Sequence, residues 1–305
     1  MVAADVGAPR RRRVTARDRR DWPWFLLFAL PNVVLIAAFI YRPVLVNMYY
    51  STLDWTLGSP YATPVGLANY VEYFTSPSSI AVLRTTAVFT LATVLGAMAI
   101  GLALAVVLNR PLHGRTFARA TVFAPYVLSG VGVGLVWSFI FDPVVGLLGA
   151  VIRTFGGTSP NWFNDPSLSL TMVIIVYIWK NLGYCAVIYL AGLQSVPQDI
   201  LEAASIDGAS RTRSFWSITL PLLSPTTFFL VLTSMLSSLQ AFDLIRIMTP
   251  SGRGTTTLMY DAYMQAFGAY NRAGFSATVS TILFVILLLM TVVQIQLIER
   301  RVHYA

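Results

Sequence analysis

Residues 202–221 read EAASIDGASRTRSFWSITLP and form a polar stretch between two long apolar runs. Just before it, Pro197 and Asp199 favour the start of a helix, because a first-turn proline loses no hydrogen bond and an acidic side chain complements the helix dipole. Gly208 can adopt the left-handed conformation that ends a helix, and Ser210 can cap a second one. The stretch therefore predicts two short helices joined by a bend, a hairpin shaped to enter a groove of a partner protein.

The rest of the chain is strongly apolar. Of its 305 residues, 56% are hydrophobic and 11% are charged, and the mean hydropathy is +0.68. Soluble domains carry about 25% charged residues, so the composition predicts an all-α polytopic membrane protein. The net charge of +8 lies mostly on arginines that flank apolar runs, which membrane topology explains better than nucleic-acid binding.

Six apolar stretches are long enough to cross a bilayer as helices. Pro31 in the first and Pro125 in the third are each expected to kink their helix. Gly130 and Gly134 form a GxxxG pair in the third stretch, which favours close helix packing. The predicted spans are 22–41, 85–108, 120–140, 168–193, 222–245 and 275–298.

Arginines cluster on one side of these spans. The positive-inside rule predicts that this side is cytosolic, together with both termini and the loop 195–221. Residues 1–21 then form a basic cytosolic tail, and residues 22–305 form the transmembrane domain. The clustered arginines beyond the tail are Arg110, Arg115, Arg119, Arg211, Arg213, Arg300 and Arg301.

Three loops lie on the opposite side, at 42–82, 141–167 and 246–274. Within the first, Val71, Tyr73 and Phe74 predict a short amphipathic helix that lies along the membrane interface. An extracytoplasmic protein that lands on these loops is compatible with the pattern.

Several kinds of chemistry are missing from the sequence. Lys180 is the single lysine and is followed by Asn181, so the chain has no P-loop and an ATP-driven process needs a separate ATPase subunit. The potential metal ligands His113, His303 and Cys185 lie in different regions, and no metal site is predicted. No nucleophile elbow or carboxylate pair supports an intramembrane enzyme.

Polar side chains inside predicted spans indicate a substrate path. Lys180 lies near the middle of the fourth span, where a lysine costs about 2.5–3.5 kcal/mol and usually faces a cavity or a partner. Asn181 and Tyr184 lie beside it, and Gln240 and Asp243 are predicted to share one face of the fifth span. Lys180 either attracts an anionic or hydroxyl-rich solute or forms a structural ion pair, with Asp243 or with a partner subunit; the sequence leaves both open.

The hairpin residues resemble a known motif. Glu202-Ala203-Ala204, Gly208, Ile218, Leu220 and Pro221 match the "EAA" coupling loop of ABC importer permeases. In that family the loop docks into a cleft of the ATPase subunit. The resemblance implies that Glu202 lies at the ATPase contact and Gly208 at the bend, and that the coupling residues are Glu202, Ala203, Ala204, Asp207, Gly208 and Arg211.

The resemblance extends over most of the chain. Residues 85–298 look like the five-helix core of the type I ABC importer permease (MetI-like) fold, with one helix in front. The segments that resemble the sugar class, and in particular the first permease of glycerol-3-phosphate importers, are 66–70, 179–180, 255–260, 291–294 and 301–304.

The family implies a bacterial inner-membrane complex. Its further parts are a second homologous permease, two ATPase subunits that hold ATP and magnesium, and an extracytoplasmic substrate-binding protein. The permease chain itself carries no cofactor. The implied substrate is glycerol-3-phosphate or a related polyol phosphate, and a di- or oligosaccharide is the alternative.

An ion-coupled secondary transporter is the competing class. Such proteins tend to show repeated halves, broken helices and a carboxylate at the membrane midplane. Asp243 is the one intramembrane carboxylate that the predicted spans offer, and it lies off-centre. Co-purification with an ATPase separates the two classes.

Overall fold

The computed structural model describes residues 16–111, 113–268 and 270–298. Most of the predicted basic tail, together with Arg300, Arg301 and His303, lies outside the described residues. The chain divides into two units, Met1–Tyr49 and Tyr50–Ala305.

The first unit is helical. Its elements are α1 (Ala16–Ile36), a π-helical turn (Ala37–Tyr41) and α2 (Arg42–Tyr50). The helix continues through Pro31, and the stretch that can cross a membrane is Trp24–Tyr50, so the predicted span 22–41 ends too early. The π turn ends just before Pro43, where the widened helix avoids the clash between the proline ring and the preceding turn.

The second unit contains two short strands and thirteen further α-helices among the described residues. Up to the fourth span these elements are β1 (Leu53–Asp54), β2 (Thr63–Pro64), α3 (Ala68–Thr75), α4 (Pro77–Leu108), α5 (Arg115–Val127), α6 (Gly130–Ile140), α7 (Leu147–Thr154) and α8 (Pro166–Gln194). Beyond it are α9 (Gln198–Ile206), α10 (Arg211–Ser214), a π turn (Phe215–Thr219), α11 (Leu220–Leu222), α12 (Ser224–Leu239), α13 (Asp243–Met248), α14 (Leu258–Phe267), α15 (Ala273–Val293) and a π turn (Gln294–Ile298).

The strands and α3 form a small cap on the N-terminal side of α4. β1 and β2 pair antiparallel, with Leu53 opposite Pro64. The Asn69 amide of α3 donates to the backbone carbonyls of Ser51 and Leu53, at 3.0 Å each. The predicted amphipathic helix exists as α3, but Tyr73 is fully buried in a cluster with Phe275. Tyr73 therefore packs into the protein core, and the prediction that it faces the membrane interface was wrong.

Long apolar helices form the body of this unit. Five helices of the described residues can cross a membrane, and a bent pair makes a sixth candidate. Small residues let these helices approach closely: a β-carbon at Gly101 of α4 would lie 2.6 Å from Cβ of Cys185 in α8. Gly183 of α8 packs in the same way against the backbone of Val122 in α5. Five of the six predicted spans are confirmed as helices in the predicted order, with boundaries that shift by up to nine residues, and the remaining one corresponds to the bent pair.

The third span is broken rather than kinked. Helices α5 and α6 meet at 97°, with Leu128 and Ser129 in extended conformation between them. Pro125 lies three residues before the break, close to where a kink was expected. The prediction of a single helix over 120–140 was wrong. The backbone turns at Leu128 and Ser129, and the apolar composition on both sides of this turn gives no sign of it.

The two glycines of the GxxxG pair pack against α13. Added β-carbons at Gly130 and Gly134 would lie 3.0 Å from Cβ of Asp243 and 2.9 Å from Cγ2 of Ile247. The prediction of close packing is confirmed.

The fifth span is also interrupted. Helix α12 ends at Leu239, and Phe242 leaves the helical region at φ −135° and ψ −59° before α13 begins. Gln240 and Asp243 thus do not share a face of one continuous helix, and that prediction was wrong.

Candidate functional sites: the helical hairpin and the broken span

The hairpin has the predicted helix–bend–helix geometry. Pro197 is the N-cap of α9, one position earlier than a first-turn proline, and Asp199 lies in the first turn. At the other end Gly208 has φ +79°. The Gly208 N–H donates to Ser205 and the Ala209 N–H donates to Ala204, which is the pair of hydrogen bonds that defines a Schellman helix end.

The second helix of the hairpin is short. The Ser210 hydroxyl caps α10 by accepting a hydrogen bond from the Arg213 N–H at 3.3 Å. The helix then widens into the π turn Phe215–Thr219, where the Leu220 N–H donates to the Phe215 carbonyl. Pro221 follows at once, as Pro43 follows the first π turn, and lacks the N–H that an α-helix needs there.

The hairpin presents an uncovered face. Glu202, Ala203 and Asp207 are exposed, and Glu202 makes no ion pair within the described residues. Ile206 is 86% exposed and Trp216 is 63% exposed. Apolar side chains beside an unpaired carboxylate, outside the membrane-spanning helices, form a surface suited to a protein partner.

A groove borders this face, and buried residues at both ends of the hairpin attach it to the spanning helices. The groove measures about 610 Å³ and is lined by Arg211, by Val196 of the segment that joins α8 to α9, and by Leu193 at the end of α8. Val196 at one end of the loop and Leu223 at the other are buried. A β-carbon at Gly192 of α8 would lie 2.6 Å from Oγ1 of Thr226 in α12. The hairpin is thus connected at both ends to helices that touch each other.

Lys180 lies at the break of the third span. Its ammonium donates to the backbone carbonyl of Tyr126 at 2.9 Å and lies 5.6 Å from the centre of the Tyr126 ring. That carbonyl belongs to the last turn of α5, where no further helical N–H follows. A cation at this position also complements the negative end of the helix dipole. Lys180 therefore caps the end of a broken helix, a role that neither sequence interpretation included.

Asp243 lies at the other side of the same break. Its carboxylate is next to Gly130, the first residue of α6, where an anion complements the positive helix end. Lys180 and Asp243 form no ion pair within 4 Å in the described part of the chain. The direct pair that the sequence left open is absent, and instead each charge stabilises one end of the broken span.

Asn181 and Tyr184 line a small cavity. It measures about 50 Å³, and the Tyr184 ring is stacked on that of Tyr126 with ring centres 5.0 Å apart. Gln240 and Asp243 are exposed and do not line this cavity. The sequence interpretation missed the lining residues Thr93, Tyr126, Tyr177, Ser234 and Ser237. The serine pair, three residues apart in an apolar run, was the one signal that could have identified part of this set.

No group of three or more potential metal ligands occurs in the described ranges.

Comparison with known proteins gives the family directly. Residues 23–304 match the family model described as "Binding-protein-dependent transport system inner membrane component". The chain is 34% identical over 281 residues to the sn-glycerol-3-phosphate transport system permease protein UgpA of Agrobacterium fabrum, covering 91% of this chain and 95% of that protein. It is also 34% identical to a probable ABC transporter permease protein of Pyrococcus horikoshii, covering 89% and 94% of the two chains.

Solved structures share the fold. A chain of a bacterial ABC transporter involved in the import of the acidic polysaccharide alginate superposes with a TM-score of 0.79 at 21% identity, covering 92% of this chain and 96% of that one. The alginate transporter in complex with its alginate pentasaccharide-bound periplasmic protein gives the same TM-score, covering 94% and 99%. With the family model matched over nearly the full length, this chain belongs to the inner membrane components of binding-protein-dependent transport systems, as a permease of the ABC importer type.

Proposed function

We propose that this permease forms half of the translocation path of an ATP-driven importer for glycerol-3-phosphate or a related polyol phosphate. The observation that carries the substrate class is the similarity to glycerol-3-phosphate permeases over nine-tenths of the chain. Lys180, the single lysine of the chain, is the residue suited to attract the phosphate group as it passes the break in the third span.

The hairpin is proposed to receive the force of ATP hydrolysis. The sequence has no P-loop, so ATP and magnesium are bound by a separate ATPase subunit. Glu202, Ala203 and Asp207 lie on the exposed face that would dock there, with Gly208 at the bend and Arg211 at the groove. Helix α8 carries Lys180, Asn181 and Tyr184, and only three residues separate its end from the start of α9. A movement of the hairpin would therefore be passed to these polar groups by a rigid helix.

The rest of the complex follows from the proposed path. A cavity of about 50 Å³ in this chain is too small for a solute path, which a second permease subunit would complete. Two ATPase subunits then bind the two hairpins, and an extracytoplasmic binding protein delivers the solute. The arginines near α5 and α10 favour a cytosolic position for the hairpin and both termini, at a bacterial inner membrane.

A neutral di- or oligosaccharide is the second candidate. The residues that line the intramembrane cavity carry hydroxyl and amide groups but no charge, and Lys180 is already engaged with a backbone carbonyl. Such a lining can form hydrogen bonds with the hydroxyl groups of a neutral sugar.

Uptake in intact cells tests the substrate. Labelled glycerol-3-phosphate and several disaccharides are supplied to cells with and without this chain. Loss of glycerol-3-phosphate uptake alone is the expected result. Loss of uptake of one sugar alone would contradict the polyol phosphate and support the second candidate.

A further inference from the structure

A polar cavity of about 430 Å³ lies at the end of the molecule opposite the hairpin. Its walls are α3, the first turns of α4, the segment 251–256, α14 and the start of α15. Asn109, which follows the last residue of α4, lines the groove beside the hairpin. Val82 of α4 lines the cavity and Val106 of the same helix lines the groove. Since a helix rises 1.5 Å per residue, the cavity and the groove lie roughly 36 Å apart. The cavity therefore faces the other side of the membrane from the hairpin.

Two of the three charged residues that line the cavity neutralise each other. The Arg272 guanidinium donates to both carboxylate oxygens of Glu72, at 2.7 Å each, and lies 4.2 Å from the centre of the Phe275 ring. The hydrogen bond from Arg272 lowers the pKa of Glu72, and the same bond raises the pKa of Arg272. In this bidentate pair both carboxylate oxygens of Glu72 accept a hydrogen bond from Arg272, and the pair contributes no net charge to the cavity.

Asp261 is the third charged residue, and it forms no ion pair with a cation among the described residues. Its side chain is 8% exposed. Oδ1 accepts one hydrogen bond, from the Gln265 amide at 3.2 Å, and Oδ2 accepts none from the described residues. Burial raises the pKa of the Asp261 carboxyl group, because the neutral amide offsets only part of the lost hydration. A buried carboxylate with a free oxygen at a cavity wall is a site for a hydrogen-bond donor that carries positive charge.

The remaining lining defines the shape of that donor. Ser76, Ser79 and Thr256 offer hydroxyl groups, while Val82 and Met264 offer an apolar wall. A lysine or arginine side chain combines an apolar stem with a cationic head and matches this mixture. A phosphate-bearing solute does not, since the cavity carries a net charge of one negative unit. A small metal ion would find a single free carboxylate in a cavity much larger than its coordination shell.

We propose that this cavity receives a lysine or arginine side chain of the extracytoplasmic binding protein, with Asp261 as its anchor. The inference rests on the proposed function, which supplies a protein partner on this side of the membrane. The basic side chain completes the hydrogen bonds of Asp261 Oδ2 and removes the uncompensated charge. Docking of the binding protein is thereby tied to one residue of this permease.

The test uses the complete transporter, with its ATPases and second permease, in lipid nanodiscs. Surface plasmon resonance measures the affinity of the binding protein at low and high salt for wild type and for Asp261→Asn. We expect the isosteric variant to lose at least about tenfold in affinity, as for a charge-assisted hydrogen bond, and to show a weaker dependence on salt. Equal affinities of the two proteins would overturn the proposal.

Two further variants guard against misfolding. Glu72→Gln changes an exposed residue and leaves Arg272 unpaired beside the cavity, so it should weaken docking by repelling the basic side chain. Asp165→Asn is the matched control, because it removes a carboxylate that caps α8 and asparagine caps equally well. The control should stay within about twofold of wild type. Weakening by the control that equals that of Asp261→Asn would contradict a specific anchor.

A small probe separates the chemistry of the cavity from docking. N-acetyl-L-arginine amide should raise the melting temperature of wild type and not of Asp261→Asn. If the probe binds in this way but docking does not depend on Asp261, the cavity takes free cations and the docking proposal is wrong. Stabilisation by sorbitol and not by the arginine probe would indicate a polyol site and overturn it too. A wild-type complex that transports but binds no protein contradicts the proposed function, whereas intact docking by Asp261→Asn contradicts this inference alone.

Discussion

At the scale of single residues, Lys180 and Asp243 share the task of holding a break in a membrane span. Each charge lies at the helix end whose dipole it complements, on either side of Leu128 and Ser129. Such an interaction stabilises a helix end by about 0.3–2 kcal/mol. Lys180 and Asp243 thus do not form a direct ion pair among the described residues. A solute that binds Lys180 would instead compete with the Tyr126 carbonyl.

Lys180→Met should abolish uptake while the complex still assembles, because the end of α5 loses its cap and the proposed substrate path loses its cation. We expect Lys180→Arg to retain the cap and much of the transport. Uptake assays with size-exclusion chromatography of the complex measure both properties. Unchanged uptake by the methionine variant would remove Lys180 from the path.

The buried carboxyl group of Asp261 should make the stability of the protein depend on pH when the binding protein is absent. Its raised pKa means that the folded protein holds the proton more tightly than the unfolded chain, so this carboxyl group destabilises the fold as pH rises from the ordinary aspartate range through the raised value. Asp261→Asn should therefore melt higher than wild type at neutral pH, with a difference that shrinks in acid. The neighbouring titratable groups Glu72, Tyr73 and Arg272 are unchanged in both proteins. A pH-independent difference would contradict an uncompensated charge.

At the scale of elements, the bend of the hairpin depends on one left-handed residue. Gly208→Ala meets no atom within 4 Å but must hold φ at +79°, which costs about 1–2 kcal/mol. Gly58→Ala is the matched control, with φ +82° and equally open surroundings in a loop far from the hairpin along the chain. Only the Gly208 variant should lower ATPase activity coupled to transport. An equal loss of ATPase activity in both variants would show that backbone strain anywhere in the chain has this effect, and would contradict a specific role of the hairpin bend.

The contact between α6 and α13 gives a second element-scale prediction. Gly134→Val places its side chain against Ile247, where even a β-carbon would lie 2.9 Å away. Such overpacking costs about 1–3 kcal/mol. Gly132→Val, on an open face of the same helix, should leave the melting temperature nearly unchanged. Similar melting temperatures for the two variants would contradict the observed packing of α6.

At the scale of the whole molecule, the sequence predicts best those elements that a long run of similar residues or a single characteristic residue specifies. Long apolar runs identify the spans, and Gly208 and Ser210 identify the hairpin because each has one dominant local conformation. The break at Leu128–Ser129 escaped prediction because apolar residues lie on both sides of it. The break at Gln240–Phe242 escaped prediction because a continuous helix can also carry the nearby polar residues on one face. The lining of the intramembrane cavity escaped as well, since Thr93, Tyr126 and Ser234 meet only when three helices pack.

Broken spans bear on the choice between transporter classes. They are frequent in ion-coupled transporters, and this permease has two interrupted spans. The family match over residues 23–304 nevertheless identifies a component of binding-protein-dependent systems. In this protein, a lysine, an aspartate and close glycine contacts lie at the break of the third span.

The most direct test of ATP-driven import is uptake into proteoliposomes that contain the complete complex. Labelled glycerol-3-phosphate and the binding protein are supplied on one side and ATP on the other. The account predicts uptake that requires ATP, survives a protonophore and a sodium ionophore, and is lost in a Glu202→Ala variant of this chain. Uptake without ATP that collapses with either ionophore would contradict it and identify an ion-coupled transporter.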